Sequence, residues 1–104
     1  RSEMALVKVA ETHEIPVGRA KRVLVKRHPI AVYHLQDGFY ATDDTCTHAE
    51  ASLCEGQIMG DQVACPLHGA RFDIRTGAAL TLPAVTPVET YKVIVQGNDI
   101  LVEV

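Results

Sequence analysis

The chain has 104 residues, a length at which one domain is expected. Its composition is 47% hydrophobic and 22% charged, and its formal net charge is −3. This charge argues against a general nucleic-acid or membrane-surface binder, since both need an excess of basic residues. No apolar run approaches the roughly 20 residues that a membrane helix needs.

The cysteine content indicates the compartment. Three cysteines are an odd number and too few for a disulfide framework. No charged-then-apolar leader is visible, so we expect no secretory signal and a cytoplasmic protein with reduced thiols. Arg1-Ser2-Glu3 precede Met4, and we expect residues 1–3 to be an added remnant and residues 4–104 to form a single domain.

Alternating apolar residues and turn residues predict short β-strands in the first half of the chain. These strands are Ala5 to Ala10, Lys21 to Lys26, Ile30 to Leu35 and Phe39 to Ala41. A helical turn is expected over Glu11 to Glu14, because Pro16 and Gly18 punctuate the chain soon afterwards. Asp37-Gly38 predicts a tight hairpin with a type I′ turn.

The second half has the same pattern. Its predicted strands are Gln57 to Met59, Gln62 to Ala64, Arg71 to Ile74, Tyr91 to Gln96 and Ile100 to Val104. Gly60-Asp61 and Thr76-Gly77 are turn signals, and Gly97-Asn98-Asp99 separates the last two strands. Regular short strands with turns between them predict an all-β sandwich or barrel.

Two short stretches carry residues that bind metals, Cys46-Thr47-His48 and Cys65-Pro66-Leu67-His68. Each pairs one thiolate with one imidazole, so together they offer two sulfurs and two nitrogens. Four-coordinate sites of this kind suit zinc or iron–sulfur chemistry. Both stretches fall on loops at the ends of predicted hairpins, where two hairpins can hold a metal site at the edge of the molecule.

The spacing of Cys46 and His48 bears on the choice of metal. Side chains two apart in an extended segment point to the same side, an awkward arrangement for clamping one tetrahedral ion. Two adjacent ions fit better, one taking both cysteines and the other both histidines. A 2Fe-2S cluster with two histidines on one iron has that division. A zinc-stabilised interaction module without a redox role is the alternative.

The two stretches resemble the signature of Rieske-type 2Fe-2S ferredoxins, C-x-H with a later C-x-x-H. The likeness extends to Asp37 to Ala41, Gly69, Phe72-Asp73, Thr76-Gly77 and Leu82-Pro83. The resemblance implies an antiparallel β-sandwich with a cluster-binding subdomain at about residues 43–82. It further implies that Cys46 and Cys65 ligate one iron and that His48 and His68 ligate the other. The exposed imidazole edge would then be the electron port.

Four positions depart from high-potential members of the family that the chain resembles. Ala51 and Leu67 stand where some members have a second pair of cysteines, so that disulfide cannot form. Ala70 and Phe72 stand where high-potential members have serine and tyrosine hydroxyl donors. Hydrogen bonds to cluster sulfurs raise the reduction potential. The resemblance therefore implies a potential near the low end of the Rieske range, roughly −150 mV.

The resemblance implies a one-electron carrier that is not itself an enzyme. Its donor would be a flavin-dependent NAD(P)H ferredoxin reductase, and its acceptor the terminal oxygenase of a bacterial aromatic-ring dioxygenase system. No nucleic-acid or membrane partner is expected. An alternative is the small Rieske subunit of an assimilatory nitrite reductase. His13, His28 and His34 lack the spacing of a mononuclear iron site, so the chain is not expected to be the oxygenase itself.

Two further features have open interpretations. Cys54 has no partner histidine nearby and is expected to be a plain thiol. Acidic residues gather within 41–61, whereas basic residues crowd the second strand. The acidic residues are Asp43, Asp44, Glu50, Glu55 and Asp61. The basic residues are Arg19, Lys21, Arg22, Lys26 and Arg27. These are either ordinary solvated faces or an acidic collar round the cluster that steers it to basic docking sites.

Overall fold

The computed structural model describes residues 5–47, 51–67, 69–82 and 84–104. The expected remnant and Met4, as well as His48, His68 and Pro83, lie outside the described residues. The strands are β1 (Leu6–Glu11), β2 (Arg19–Val25), β3 (His28–Leu35), β4 (Gly38–Asp43), β5 (Gln57–Met59), β6 (Gln62–Ala64), β7 (Arg71–Asp73), β8 (Thr90–Tyr91), β9 (Val93–Gln96) and β10 (Asp99–Glu103). Short 3-10 turns occupy Thr12–Glu14 and Leu53–Glu55.

The strands form three antiparallel sheets, which confirms the predicted all-β class. The sheet orders are β1-β10-β9, β2-β3-β4-β8 and β5-β6-β7. We call the first two the basal sheets, because the loops with the predicted ligands adjoin the third. None of the helical segments in the described part of the chain has the length and apolar character needed to cross a membrane.

Strand β3 has buried side chains on both faces of its sheet. Ile30, Ala31, Val32 and Tyr33 all have 0% exposure. Because successive side chains of a strand point to opposite faces, this run belongs to two cores. Ile30 and Val32 pack in the core between the basal sheets, whereas Ala31 and Tyr33 pack with Phe72 of β7 in a second core. One strand therefore supports both the basal sandwich and the third sheet.

The type I′ turn lies in a different hairpin from the predicted one. The β3–β4 hairpin forms, but Leu35 pairs with Gly38, so this glycine belongs to the strand. In the hairpin, Gly38 has a positive φ of 146° and Asp37 does not have one. A type I′ turn needs positive φ at both central residues, so its prediction at Asp37-Gly38 is wrong. That pattern occurs between β2 and β3, where Lys26 has φ 51° and Arg27 has φ 69°.

The predicted strand Tyr91 to Gln96 is divided between two sheets. Tyr91 belongs to β8 and pairs with Ala41 of β4, whereas β9 begins at Val93 and pairs with β10. Lys92 lies between the two strands. Here the chain crosses from one basal sheet to the other, a corner that a continuous apolar pattern does not reveal.

Candidate functional site

The first ligand loop, residues 45–52, leaves the end of β4 and returns into the turn Leu53–Glu55. Thr45 and Ser52 form an isolated antiparallel bridge across the two ends of the loop. The Cys46 amide donates a hydrogen bond to the Ala51 carbonyl oxygen at 2.9 Å. Cys46 is only 3% exposed. The backbone thus presents this thiol inward.

The second ligand loop, residues 65–70, connects β6 to β7. The Cys65 amide donates to the Ala70 carbonyl oxygen at 2.7 Å, and the Gly69 amide donates to the Cys65 carbonyl oxygen at 3.1 Å. Gly69 has φ 72°, a left-handed conformation that favours glycine. Cys65 is 2% exposed, whereas Pro66 and Leu67 beside it are exposed. This tight loop therefore buries its cysteine and exposes Pro66 and Leu67.

The fold brings Cys46 and Cys65 together from the two loops. Both belong to the same buried cluster of side chains. The pKa of Cys65 is raised to about 11. Burial is the largest cause and the neighbouring Cys46 side chain adds to it, whereas a backbone hydrogen bond from Leu67 acts in the opposite direction. Metal binding replaces the protons of such thiols, and two adjacent buried sulfurs are the donor set that one iron of a 2Fe-2S cluster uses. These two residues therefore fit the sulfur side of the predicted centre.

A third segment, residues 78–88, borders both ligand loops. Thr47 Oγ1 donates to the Thr86 carbonyl oxygen at 2.7 Å, which joins this segment to the first loop. The Arg71 amide donates to Thr81 Oγ1 at 2.8 Å, and the Leu80 amide donates to the Arg71 carbonyl oxygen at 2.8 Å. The segment is thereby fixed to the start of β7, directly after the second loop.

The remaining histidines have roles outside the centre. His34 Nδ1 donates to the Ile15 carbonyl oxygen at 2.7 Å, and His28 Nε2 lies 2.6 Å from Asp43 Oδ1. The His13 side chain is 72% exposed. All three are therefore surface or strand histidines.

Sequence reasoning missed a buried carboxylate beside the first ligand loop. Asp44, assigned to a solvated acidic region, is only 2% exposed. Its carboxylate accepts hydrogen bonds from Ser52 Oγ at 2.5 Å and from the Cys54 amide at 3.0 Å. An Asp and a Ser flanking a short loop are typical of side chains that close such loops, which was the available signal. Cys54 Sγ lies 3.1 Å from Ser52 Oγ, and burial raises the pKa of this thiol.

Comparison with protein-family models shows which kind of domain contains these loops. The model of the Rieske [2Fe-2S] domain matches residues 5–92, a range that includes both ligand loops and the third segment. The chain belongs to the Rieske [2Fe-2S] domain family. The predicted cofactor, one 2Fe-2S cluster, is thereby confirmed, and the zinc-stabilised alternative is not supported.

The chain is similar to ferredoxins over nearly the whole length of both proteins. The chain is 41% identical over 100 residues to the ferredoxin component of a biphenyl 2,3-dioxygenase from Rhodococcus jostii, covering 96% of this chain and 94% of the relative. The solved ferredoxin of carbazole 1,9a-dioxygenase from Nocardioides aromaticivorans is 39% identical with a TM-score of 0.90, covering 94% of this chain and 96% of that chain.

A further solved structure is a complex of reduced oxygenase and oxidised ferredoxin in carbazole 1,9a-dioxygenase. It matches at 40% identity with a TM-score of 0.88, covering 93% of this chain and 91% of that chain. Together these proteins confirm the predicted Rieske fold. They also confirm an electron carrier rather than a catalytic enzyme.

Proposed function

We propose that Cys46 and Cys65 ligate one iron of the cluster and that His48 and His68 ligate the other. The contact between two buried cysteine side chains from separate loops supports the sulfur side. The spacing C-x-H and C-x-x-H supports the nitrogen side. When bound, the cluster supplies a site that gains and loses one electron. The ligand loops and the third sheet fall within the proposed cluster-binding subdomain, residues 43–82.

The chain carries electrons from a flavin-dependent NAD(P)H ferredoxin reductase to the terminal oxygenase of an aromatic-ring dioxygenase. All three ferredoxins named above belong to dioxygenases by name, and one of them is solved in complex with its oxygenase. The assignment to a nitrite reductase has less support, since these names point to dioxygenases. A cytoplasmic location belongs to the proposal, because thiols remain reduced there.

The chain's own contribution is to bury the ligand thiols while offering a docking surface beside them. Four exposed apolar side chains lie on the second ligand loop and the third segment, and we call them the apolar rim. They are Leu67, Leu80, Leu82 and Val85, with exposures of 46%, 43%, 78% and 75%. Exposed apolar patches mark interaction sites, and burying this rim against a partner would exclude water beside the centre.

The observation that carries this function is the meeting of the two cysteines from separate loops in a chain of the Rieske family. We expect purified protein to have a broad visible absorption that bleaches with dithionite. His48→Ala or His68→Ala should abolish that colour. His13→Ala is the matched control and should keep it, because this exposed histidine lies outside the ligand loops. Colourless protein with stoichiometric zinc would contradict the proposal.

The partners are tested by mixing reduced protein with each candidate acceptor under anaerobic conditions. Stopped-flow absorbance should show oxidation by an aromatic-ring dioxygenase and no comparable oxidation by a nitrite reductase. Reduction by NADH should require the flavin-dependent reductase. The opposite preference between the two acceptors would favour the nitrite reductase assignment.

A further inference from the structure

Asp44 is a buried carboxylate at the point where the chain enters the first ligand loop, two residues before Cys46. Both oxygens have donors from the returning end of the loop. Oδ2 accepts from Ser52 Oγ at 2.5 Å, and Oδ1 accepts from the Cys54 amide at 3.0 Å. Arg22 Nε of β2 lies 3.4 Å from Oδ2 and is the facing cation.

The backbone of Asp44 is held as firmly as its side chain. Its amide donates to the Pro29 carbonyl oxygen at 3.2 Å, and its carbonyl oxygen accepts from the Leu53 amide at 2.6 Å. The first bond anchors the residue to β3. The second, with the two carboxylate bonds, ties it to residues 52–54. Asp44 therefore joins the outgoing and returning ends of the loop to each other and to the basal sheet.

A buried carboxylate is costly unless donors compensate it, and hydrogen bonds to a charged group are stronger than neutral ones. Here the donors come from the segment that closes the loop, so the same bonds that compensate the charge also hold the loop shut. An amide or an apolar side chain would give up at least part of that closure.

We infer that Asp44 is a positioning residue for the cluster: it holds the first ligand loop closed, and its negative charge keeps the reduction potential low. The inference rests on the proposed ligands Cys46 and His48. The sign follows from Coulomb's law, because a nearby negative charge disfavours the addition of an electron. The positive charge of the Arg22 guanidinium raises the reduction potential for the same reason.

The test compares Asp44→Asn with Asp43→Asn in the cluster-loaded protein. Asp43 is the neighbouring carboxylate, and it contacts His28 and Tyr91 rather than the ligand loop. Release of the cluster to a chelator is followed by visible absorbance. Asp44→Asn should release it about tenfold faster, since losing a charge-assisted hydrogen bond changes an opening equilibrium by about that factor. Asp43→Asn should stay within about twofold of the wild type.

Voltammetry separates positioning from general loss of structure. Asp44→Asn should raise the potential and Arg22→Gln should lower it, whereas a merely structural role does not predict opposite shifts. Ser52→Ala keeps both charges and should speed release with a smaller change in potential. If Asp44→Asn fails to fold, the Arg22→Gln and Ser52→Ala variants test the inference in its place.

Unchanged release and potential in Asp44→Asn, or equal effects of Asp43→Asn, would overturn the inference while the function stands. If Asp44→Asn does not fold, the inference is overturned when Arg22→Gln leaves the reduction potential unchanged and Ser52→Ala leaves the rate of cluster release unchanged. Wild-type protein that holds no 2Fe-2S cluster would instead overturn the proposed function itself. The two failures are therefore distinguishable.

Discussion

Ala70 and Phe72 are completely buried in the same cluster of side chains as Cys46 and Cys65. The carbonyl oxygen of Ala70 also accepts a hydrogen bond from the amide of the ligand residue Cys65 at 2.7 Å. Neither side chain has a hydroxyl group that could donate a hydrogen bond to a cluster sulfur. At the residue scale, these two side chains are therefore the structural basis for expecting a low potential.

A hydroxyl group at position 70 should raise the reduction potential of the cluster. We expect a wild-type reduction potential of roughly −150 mV and a higher potential in Ala70→Ser, because a hydroxyl donor stabilises the more negative reduced state. Cyclic voltammetry measures both. Ala10→Ser is the control, since Ala10 is a buried alanine of the basal core and its variant should leave the potential unchanged. A wild-type value well above zero, or no shift in Ala70→Ser, would contradict the argument.

The β2–β3 hairpin has an unusual turn. Val25 pairs with His28, so Lys26 and Arg27 form a two-residue loop, and both have positive φ. Left-handed backbone costs roughly 1–2 kcal/mol per residue that has a Cβ atom. Asn-Gly is the preferred pair for this turn. The Lys-Arg pair gives no turn signal, so the sequence predicted strand as far as Lys26.

Replacing the pair by Lys26→Asn and Arg27→Gly should stabilise the protein. The expected gain in the free energy of unfolding is about 1 kcal/mol, because relief of strain exceeds the entropy that glycine adds to the unfolded chain. Urea denaturation of the cluster-loaded protein measures it. Arg27→Ala alone keeps a Cβ atom at the strained position and should bring no comparable gain. A double variant no more stable than the wild type would show that the turn is unstrained.

More of the charged side chains form ion pairs across the molecule than the sequence suggests. Asp44 is buried against Arg22, and Asp61 Oδ2 lies 3.7 Å from Arg75 Nε. Lys21 of the basic strand forms an ion pair with Glu14. Glu50 of the proposed acidic collar lies outside the described residues. Asp44 and Asp61 are thus paired, and Asp44 is also buried, which argues against an acidic collar that steers docking.

Electron transfer with the reductase should therefore depend weakly on salt. Raising NaCl from about 0.05 M to about 0.5 M shortens the Debye length severalfold, yet we expect the bimolecular rate to change by less than about threefold. Stopped-flow absorbance of the cluster measures this rate. Glu55→Gln, which removes an exposed acid from the turn after the first ligand loop, should also change it little. A tenfold fall with salt would restore the steering interpretation.

Local patterns determined much of this protein from the sequence alone. The strands β5 and β6 were predicted at their observed bounds, because alternation and a glycine turn are properties of neighbouring residues. The ligand stretches were found for a similar reason, since C-x-H and C-x-x-H are contiguous and bind a cofactor with fixed demands on its ligands. The family match supports the Rieske assignment to which those stretches led.

The tertiary structure decided what depends on remote partners. The sequence shows Asp44 only as a polar residue. It becomes a buried anchor of the ligand loop because Ser52 and Cys54 fold back and donate hydrogen bonds to its carboxylate. The two-sided burial of β3 likewise needs a basal core and a second core on opposite faces. A side chain's type and spacing are local, but its burial and its charge partners are set by segments far away in the chain.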